Sequence, residues 1–148
     1  MKVIVDTTPV VAAIHGGDSA HEMAKTAMRK LRRSAVLPSP VLVEADHLIR
    51  ARLGPTAARL FLRAVARGHH EVAYMTANLL RRATELDDKY ADLNLGFVDT
   101  SVMAIAERHE LPIFTFDFRD FRATESAAGP WRLAIDEDVY RRSVARQP

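Results

Sequence analysis

Four carboxylates stand at positions where an exposed charge is not expected. Asp6 follows the β-branched run Val-Ile-Val, and Asp117 follows the run Ile-Phe-Thr-Phe, so each comes directly after a segment typical of a buried strand. Glu44 and Asp99 lie on helical segments, where the residues three, four and seven positions away are mostly apolar. A carboxylate in such surroundings needs a hydrogen-bonding role, an ion pair or a bound cation.

These acids could do chemistry if the fold brought them together. Two unit charges 4 Å apart repel by about 4 kcal/mol at an effective dielectric constant near 20, so clustered carboxylates must take up protons or bind cations. The chain has no cysteine and no histidine constellation, and oxygen donors alone favour Mg²⁺ or Mn²⁺ over Zn²⁺. Such ions activate water and stabilise a leaving oxygen, which predicts phosphodiester hydrolysis.

Each acid also has an ordinary structural explanation. Asp99 could be a helix N-cap, which stabilises a helix by about 1 kcal/mol. Asp6 and Asp117 could form turns after their strands, and Glu44 could pair with an arginine from a neighbouring segment. Taken alone, Asp99 is better explained as a cap, and the two explanations of Glu44 are evenly matched. Only the joint placement of the four acids favours a shared site.

The elements that must position these acids alternate between short strands and amphipathic helices. Strands are predicted at 3–5, 35–37, 71–74 and 113–116, with a weak strand at 132–135. Helices are predicted from residue 7, at 19–33, 41–52, 56–66 and 99–108, and from a cap at residue 76 to residue 90. This alternation predicts an α/β fold with a central, largely parallel sheet. Ligands bind outside the carboxyl ends of such strands, where Asp6 and Asp117 are expected.

Length and composition predict a single globular domain over residues 1–148. Apolar residues make up 48% and charged residues 27% of the chain, which is ordinary usage. The absence of a signal peptide, a membrane-length apolar run and cysteine predicts a cytoplasmic protein. The net charge is only +2, but basic residues cluster at 25–33, 50–67 and 141–146. These clusters permit a polyanionic partner without requiring one.

Four segments together resemble the PIN-domain ribonucleases, particularly the VapC-type toxins of bacterial toxin–antitoxin pairs. The segments are VIVDTTPVVAAI, SPVLVEADHLI, YADLNLGFVDTSVMAIAERHELP and IFTFDFRDF, in this order along nearly the whole chain. The resemblance implies a three-layer α/β/α domain. It also carries the family's acidic ligands of Mg²⁺ or Mn²⁺ onto Asp6, Glu44, Asp99 and Asp117.

The resemblance suggests four supporting residues as well. Thr7 and Thr115 stand where the family often has a hydroxyl beside the acids, and Asp92 and Asp120 are candidate outer members of the site. Family sequences often contain Asp-x-Asp-Phe in the last segment, whereas the run DFRDF at 117–121 is one residue longer. That difference leaves the role of Asp120 open.

The function implied by the resemblance is a metal-dependent endoribonuclease that acts as a toxin. Its partners would be an RNA substrate, gripped by Arg and Lys at the pocket rim, and a cognate antitoxin, with no membrane contact. The toxin would form a homodimer, and the helices predicted within 19–33 and 41–66 would supply much of the protein contacts.

Three alternatives stay open at this point. The chain could be a PIN nuclease of RNA processing outside a toxin pair, or a PIN fold kept as a binding module without turnover. It could also be a receiver-like phosphoacceptor domain, which gathers acids around Mg²⁺ at parallel strand ends. A receiver needs a lysine just after a late strand, and none follows the strand predicted at 113–116. The missing lysine argues against the receiver, and the intact set of four acids argues against the module without turnover.

Overall fold

The protein is described by a computed structural model that covers residues 1–146. The predicted single domain of 1–148 therefore extends over two residues, 147 and 148, that lie outside the described residues. Strands and helices alternate along the chain as predicted. Their bounds are β1 Val3–Val5, α1 Thr7–Ile14, α2 His21–Leu31, β2 Ala35–Pro38, α3 Ser39–Leu53, α4 Pro55–Ala66, β3 Glu71–Ala73, α5 Ala77–Lys89, α6 Phe97–His109, β4 Ile113–Phe114, α7 Phe118–Ala123, β5 Glu125–Ser126, β6 Gly129–Pro130 and α8 Glu137–Ala145, with 3₁₀ turns at Arg32–Ser34 and Ala91–Leu93.

A four-stranded parallel sheet forms the centre of the molecule, in the order β3-β2-β1-β4. Ile4 in β1 is in register with Val36 in β2 and with Ile113 in β4. Because all four strands run in the same direction, their carboxyl ends meet at one edge, here called the carboxyl edge. Their amino ends meet at the opposite edge, the amino edge. The predicted α/β class with a parallel sheet is confirmed.

Helices flank this sheet and enclose its apolar core. β1 and β2 are buried along their whole length because both lie inside the sheet. Helix α6 packs against β1 and β2 and also against α3 and α5. Its segment 100–106 is buried throughout, as expected for a helix that is covered on several sides. Helix α6 is therefore a rigid base for the acid in its first turn.

The chain departs from the predicted elements at several points. Strand β4 ends at Phe114 rather than at residue 116. Beyond it, the Phe116 backbone N–H donates to the Thr8 hydroxyl instead of to a neighbouring strand, and the Thr115 hydroxyl donates to Asp6. The weak strand predicted at 132–135 is reduced to a single parallel bridge, between Ile113 and Leu133. The prediction also lacked the short helix α7 and the C-terminal helix α8.

The start of α6 corrects the interpretation of Asp99 as a helix cap. The helix begins at Phe97, and Gly96 is the N-cap with φ +89° and no side-chain cap hydrogen bond. Glycine adopts this left-handed backbone at little cost. Asp99 is consequently the third residue of the helix. By contrast, Thr76 is the predicted cap of α5 and accepts from the Leu79 N–H at 3.2 Å.

The sequence contains no apolar run long enough to span a membrane, and the helices of the structure can be compared with that prediction. No helix within residues 1–146 has the length and apolarity needed to cross a bilayer.

Candidate active site

The four acids singled out from the sequence line a single pocket of about 260 Å³ at the carboxyl edge. They arrive from four parts of the chain: the end of β1, helix α3, the first turn of α6 and the segment after β4. Thr7, Thr8 and residues 95–98 complete the walls. The topology therefore converts four distant sequence positions into one concave acidic surface.

Asp6 is the most constrained of these acids. Its side chain is buried, and both oxygens are hydrogen-bonded: Oδ1 accepts from the Thr7 backbone N–H and Oδ2 from the Thr115 hydroxyl, each at 2.8 Å. The first bond makes Asp6 the N-cap of α1. Each carboxylate oxygen keeps a further lone pair for another partner. The chain thus fixes the direction of this carboxylate without using up its capacity to bind.

Two threonines tie the start of α1 to the segment that follows β4. The Thr115 hydroxyl accepts from the Asp117 N–H at 3.0 Å, and the Phe116 N–H donates to Thr8 Oγ1 at 3.1 Å. These bonds replace the sheet pairing that the segment gives up after β4. They hold Asp117 at the pocket beside the buried Asp6.

Helix α6 directs Asp99 into the pocket. The residues three, four and seven positions after it, Val102, Met103 and Ala106, are all buried, as its apolar stripe predicted. Asp99 itself is only partly buried, because it lies in the first turn, where the helix emerges at the carboxyl edge. A carboxylate at that position is also stabilised by the positive end of the helix dipole.

Glu44 reaches the same pocket from α3, at the margin of that helix's buried face. The fully buried residues of α3 are Val41, Ala45 and Ile49, whereas Glu44 is half-buried. The ion pair that would have explained Glu44 structurally is absent among residues 1–146, where no arginine or lysine pairs with it. Its carboxylate is left facing the other acids.

The acids disfavour one another's charge. Burial raises the pKa of Asp6 from 3.8 to about 6, with smaller contributions from Glu44 and Asp117, and the bonds from Thr115 and Thr7 lower the pKa in part. Burial, followed by the charge of Asp6 and the other acids, raises the pKa of Asp99 from 3.8 to about 8. The pKa of Asp117 is raised by burial and then by the nearby Asp120. Bringing the pocket to full negative charge near neutral pH therefore requires a compensating cation.

Asp120 lies close to two of these acids, although it does not line the pocket, whereas Asp92 lies apart from them. Asp120 lies in the first turn of α7, and one carboxylate oxygen from each of Asp99, Asp117 and Asp120 lies within 4.8 Å of the other two. The turn of α7 after Asp117 accommodates the extra residue of the DFRDF run. Asp92 is exposed on the 3₁₀ turn Ala91–Leu93 and does not line the pocket. Its supporting role stays a prediction.

Comparison with known proteins identifies the fold family. A family model described as the PIN domain matches residues 3–126. The chain belongs to the PIN-domain family. This membership removes the receiver-like alternative.

Two mycobacterial proteins and one further bacterial complex are similar to this PIN domain. Ribonuclease VapC26 of Mycobacterium tuberculosis is 27% identical over 128 residues, which cover 86% of this chain and 95% of that protein. The sarcin–ricin loop cleaving toxin VapC20 of the same organism superposes with a TM-score of 0.75 at 24% identity, covering 87% of this chain and all of that chain. A toxin–antitoxin complex from Klebsiella pneumoniae superposes with a TM-score of 0.64 at 17% identity, covering 89% and 100% of the respective chains.

The PIN-domain pocket fits a hard divalent cation. Every candidate donor is a carboxylate or hydroxyl oxygen, which is the donor set that Mg²⁺ and Mn²⁺ prefer. Thr7 Oγ1 is buried and has no hydrogen-bond partner within residues 1–146. A buried hydroxyl without a partner is costly unless a ligand or water completes it. The Thr7 hydroxyl without a partner and the mutually repelling acids both favour the same occupant, a divalent cation with its coordinated water.

Thr8 and the wall at 95–98 are parts of the PIN-domain site that the sequence interpretation missed. Thr8 is the second hydroxyl of a Thr-Thr pair directly after a buried strand, and this doubling was the available signal. Gly96 offered another signal, because a glycine directly before a helical run can mark the start of the helix. The sequence alone does not place either residue in the pocket. Thr8, for example, accepts a hydrogen bond from the backbone N–H of Phe116, which is 108 positions away.

Proposed function

We propose that this PIN domain, a single nuclease domain over residues 1–148, is a Mg²⁺- or Mn²⁺-dependent endoribonuclease that acts as the toxin of a toxin–antitoxin pair. One observation carries the proposal: Asp6, Glu44, Asp99 and Asp117 converge on one pocket at the carboxyl edge. The similarity to ribonuclease VapC26 supports RNA as the substrate, and the similarity to the sarcin–ricin loop cleaving toxin VapC20 supports the toxin role. Such a toxin would act in the cytoplasm, where its RNA substrate would be.

In this proposal the four acids hold the cation, directly or through water, with Asp120 as an outer member. A bound divalent cation supplies an activated water and positive charge for the leaving oxygen. Thr7 and Thr115 keep the Asp6 carboxylate in place, so no reorientation is needed when substrate arrives. Without a cation the pKa of Asp99 is raised to about 8, so binding of the cation would displace the proton of this carboxyl group.

A second cleft beside the pocket offers cations for the RNA backbone. It has a volume of about 690 Å³, shares Asp117 with the acid pocket and contains Arg119, Arg122 and Arg141. Arg122 and Arg141 are both paired with Glu137, whereas Arg119 is exposed and its charge lowers the pKa of Asp117. Arg119 is therefore the cation most available for a phosphate next to the scissile bond.

Exposed apolar residues support the proposed protein partners, an antitoxin and a second copy of the chain. Val43 is 73% exposed and Phe97 49% exposed, and both line an apolar cleft of about 590 Å³ that shares Glu44 with the acid pocket. An antitoxin segment bound in this cleft would cover the acids.

We expect the purified product of a neighbouring short reading frame to suppress RNA cleavage, and Val43→Ser to weaken that suppression without reducing cleavage. Analytical ultracentrifugation tests the homodimer.

The central experiment compares RNA cleavage by wild-type protein, Asp6→Asn and Asp99→Asn. We expect both variants to fold, as judged by circular dichroism, and to lose at least about 100-fold in rate, since even outer partners of a metal site contribute 10–100-fold. EDTA should abolish wild-type cleavage and Mg²⁺ or Mn²⁺ restore it. Asp87→Asn, an exposed position on α5, is the matched control and should keep full activity. Cleavage by folded Asp99→Asn at the wild-type rate would refute the assignment.

The alternatives predict different outcomes in the same assays. A PIN nuclease of RNA processing would lose activity in both variants but would not be inhibited by a neighbouring gene product. A PIN fold that only binds would retain RNA affinity and show no cleavage with any divalent cation.

A further inference from the structure

A second charged pocket lies at the amino edge of the sheet, on the side opposite to the acids. Its volume is about 850 Å³, and its lining comes from the segments that precede β1, β2 and β3. Five of the lining residues are basic: Lys2, Lys30, Arg32, Arg33 and Arg67. Because the three strands are parallel, the topology that gathers acids at one edge gathers these cations at the other.

Most of the cations in this basic pocket have no acidic partner. Lys2 pairs with Glu71 at 2.6 Å. Within residues 1–146, Lys30, Arg32, Arg33 and Arg67 form no ion pair. A concave surface lined by charges of one sign concentrates the electrostatic potential and attracts counter-ions. The basic pocket is therefore suited to an anion with several negative charges.

The distribution of charge along the chain extends this basic surface beyond the pocket. Ten of the 21 Lys and Arg residues lie in two segments without any Asp or Glu, 23–43 and 47–70. On α4 and at its C-cap, Arg59, Arg63 and Arg67 follow one another at intervals of four, so they share a face, and all three are exposed. A strip of cations that leads out of a basic pocket matches a polymer of phosphates better than a single small anion.

The helix dipole is the competing explanation of these residues. Lys30 is in the last turn of α2 and Arg63 in the last turn of α4, where a cation stabilises a helix by about 0.3–1 kcal/mol. That role accounts for cations on each helix separately. It does not require Lys2, Arg32 and Arg33 to converge with Arg67 on one concavity. The described residues that line this concavity include no Asp or Glu. The two explanations also differ in what substitution should change, stability in one case and RNA affinity in the other.

We infer that the basic pocket and the adjoining strip on α4 form a second RNA-binding site, which holds phosphodiester groups away from the bond that is cleaved. The inference rests on the proposed ribonuclease function, because it concerns the same RNA molecule. Lys2 and Asp6 flank β1, so the two edges are roughly 13 Å apart along the strand. An RNA that occupies both sites passes around the side of the domain, and a longer RNA therefore binds more tightly than a short one.

The test measures binding of labelled single-stranded RNA of about 16 nucleotides by fluorescence anisotropy, in EDTA so that the RNA stays intact. Arg33→Gln/Arg67→Gln should raise the Kd about tenfold in 0.1 M salt and reduce the slope of log Kd against log salt by about 1.4, at 0.7 per released phosphate contact. The matched control, Arg81→Gln/Arg108→Gln, removes the same charge from exposed positions of α5 and α6. It should change the Kd by less than about twofold.

Several outcomes would overturn the inference. Equal weakening by both double variants would indicate a non-specific effect of net charge, and no weakening by Arg33→Gln/Arg67→Gln would exclude the site. Backbone amide shifts of wild-type protein titrated with the same RNA provide a readout that does not depend on the folding of a variant. Perturbation of residues 30–34 and 67–69 supports the site, and its absence refutes it.

Cleavage assays separate this inference from the proposed function. Arg33→Gln/Arg67→Gln should raise KM for the long RNA and leave cleavage of an oligonucleotide of about four nucleotides unchanged. If wild-type protein cleaves no RNA but the anisotropy difference persists, the proposed function fails and the binding site stands. If cleavage occurs and the two double variants behave alike, the function stands and the second site fails.

Discussion

The Thr115 hydroxyl donates a hydrogen bond of 2.8 Å to Asp6 Oδ2, across 109 positions of sequence. The same oxygen accepts the Asp117 backbone N–H at 3.0 Å. One buried hydroxyl therefore sets the positions of two acids that lie after different strands of the sheet. It also opposes the effect of burial on Asp6, because a bond donated to the carboxylate lowers the pKa of that group.

Replacing Thr115 by valine tests this positioning role. Thr115→Val keeps the shape of the side chain and removes the donor, so the pKa of Asp6 should rise further above 6. We expect RNA cleavage at neutral pH to fall about 10–100-fold, and the acidic limb of the pH–rate profile to move to higher pH. Thr115→Ser retains the hydroxyl and should restore both rate and profile. An unchanged profile in Thr115→Val would show that the hydroxyl has only a packing role.

The raised pKa values predict how the stability of the cation-free protein depends on pH. Asp6 and Asp99 have folded pKa values of about 6 and about 8, above the ordinary 3.8. Folded protein thus holds these protons more tightly than unfolded chain, and the associated stability, complete below about pH 4, is lost as pH rises to about 8. In EDTA, Asp99→Asn should be more stable than wild type at pH 8, by about 1–3 kcal/mol.

Thermal or urea unfolding at several pH values measures this effect. The difference in free energy of unfolding between Asp99→Asn and wild type should be small near pH 4 and grow up to about pH 8. Asp87→Asn, which is outside the pocket, controls for general loss of negative charge. A difference that does not change with pH would contradict the raised pKa of Asp99.

Cation binding should release protons for the same reason. A divalent cation requires the ionised carboxylates, and at pH 7 the pKa of about 8 keeps most of Asp99 protonated. We expect the affinity for Mg²⁺ or Mn²⁺ to increase between pH 6 and pH 8. Isothermal titration calorimetry in buffers of different ionisation enthalpy counts the protons released. Asp99→Asn should release fewer protons than wild type, and equal release would assign the proton to another group.

The strand ends could be predicted from the sequence because their signals are local. The run at 3–5 is β-branched and ends at an acid, and the apolar run that begins at residue 113 also leads to an acid, so the carboxyl-edge positions of Asp6 and Asp117 followed from the parallel topology. The apolar stripe behind Asp99 predicted correctly which face of α6 is buried. These features depend on residues within a few positions of one another.

The features that could not be predicted depend on contacts between distant segments. The sequence predicts Thr115 as part of a strand, but the strand ends at Phe114 and the Thr115 hydroxyl bonds Asp6, 109 positions away. The approach of Asp120 to Asp99 requires the turn of α7, which is too short to show a helical period. The basic pocket at the amino edge gathers cations from three segments that are far apart in sequence, and the basic residues of each segment alone are typical of a solvated surface.

Asp120 and Asp92 provide a test residue and its control for the outer part of the site. Both are aspartates near the acids in sequence, but only Asp120 places a carboxylate oxygen within 4.8 Å of those of Asp99 and Asp117. We expect Asp120→Asn to reduce RNA cleavage about 10–100-fold, as for the loss of an outer partner of a metal site, and Asp92→Asn to leave the rate unchanged. Asp120→Asn should also lower the pKa of Asp117 and of Asp99, since the charge of Asp120 raises both. Wild-type activity in Asp120→Asn would place Asp120 outside the working site, and a loss in Asp92→Asn would require RNA or protein contacts on the exposed 3₁₀ turn.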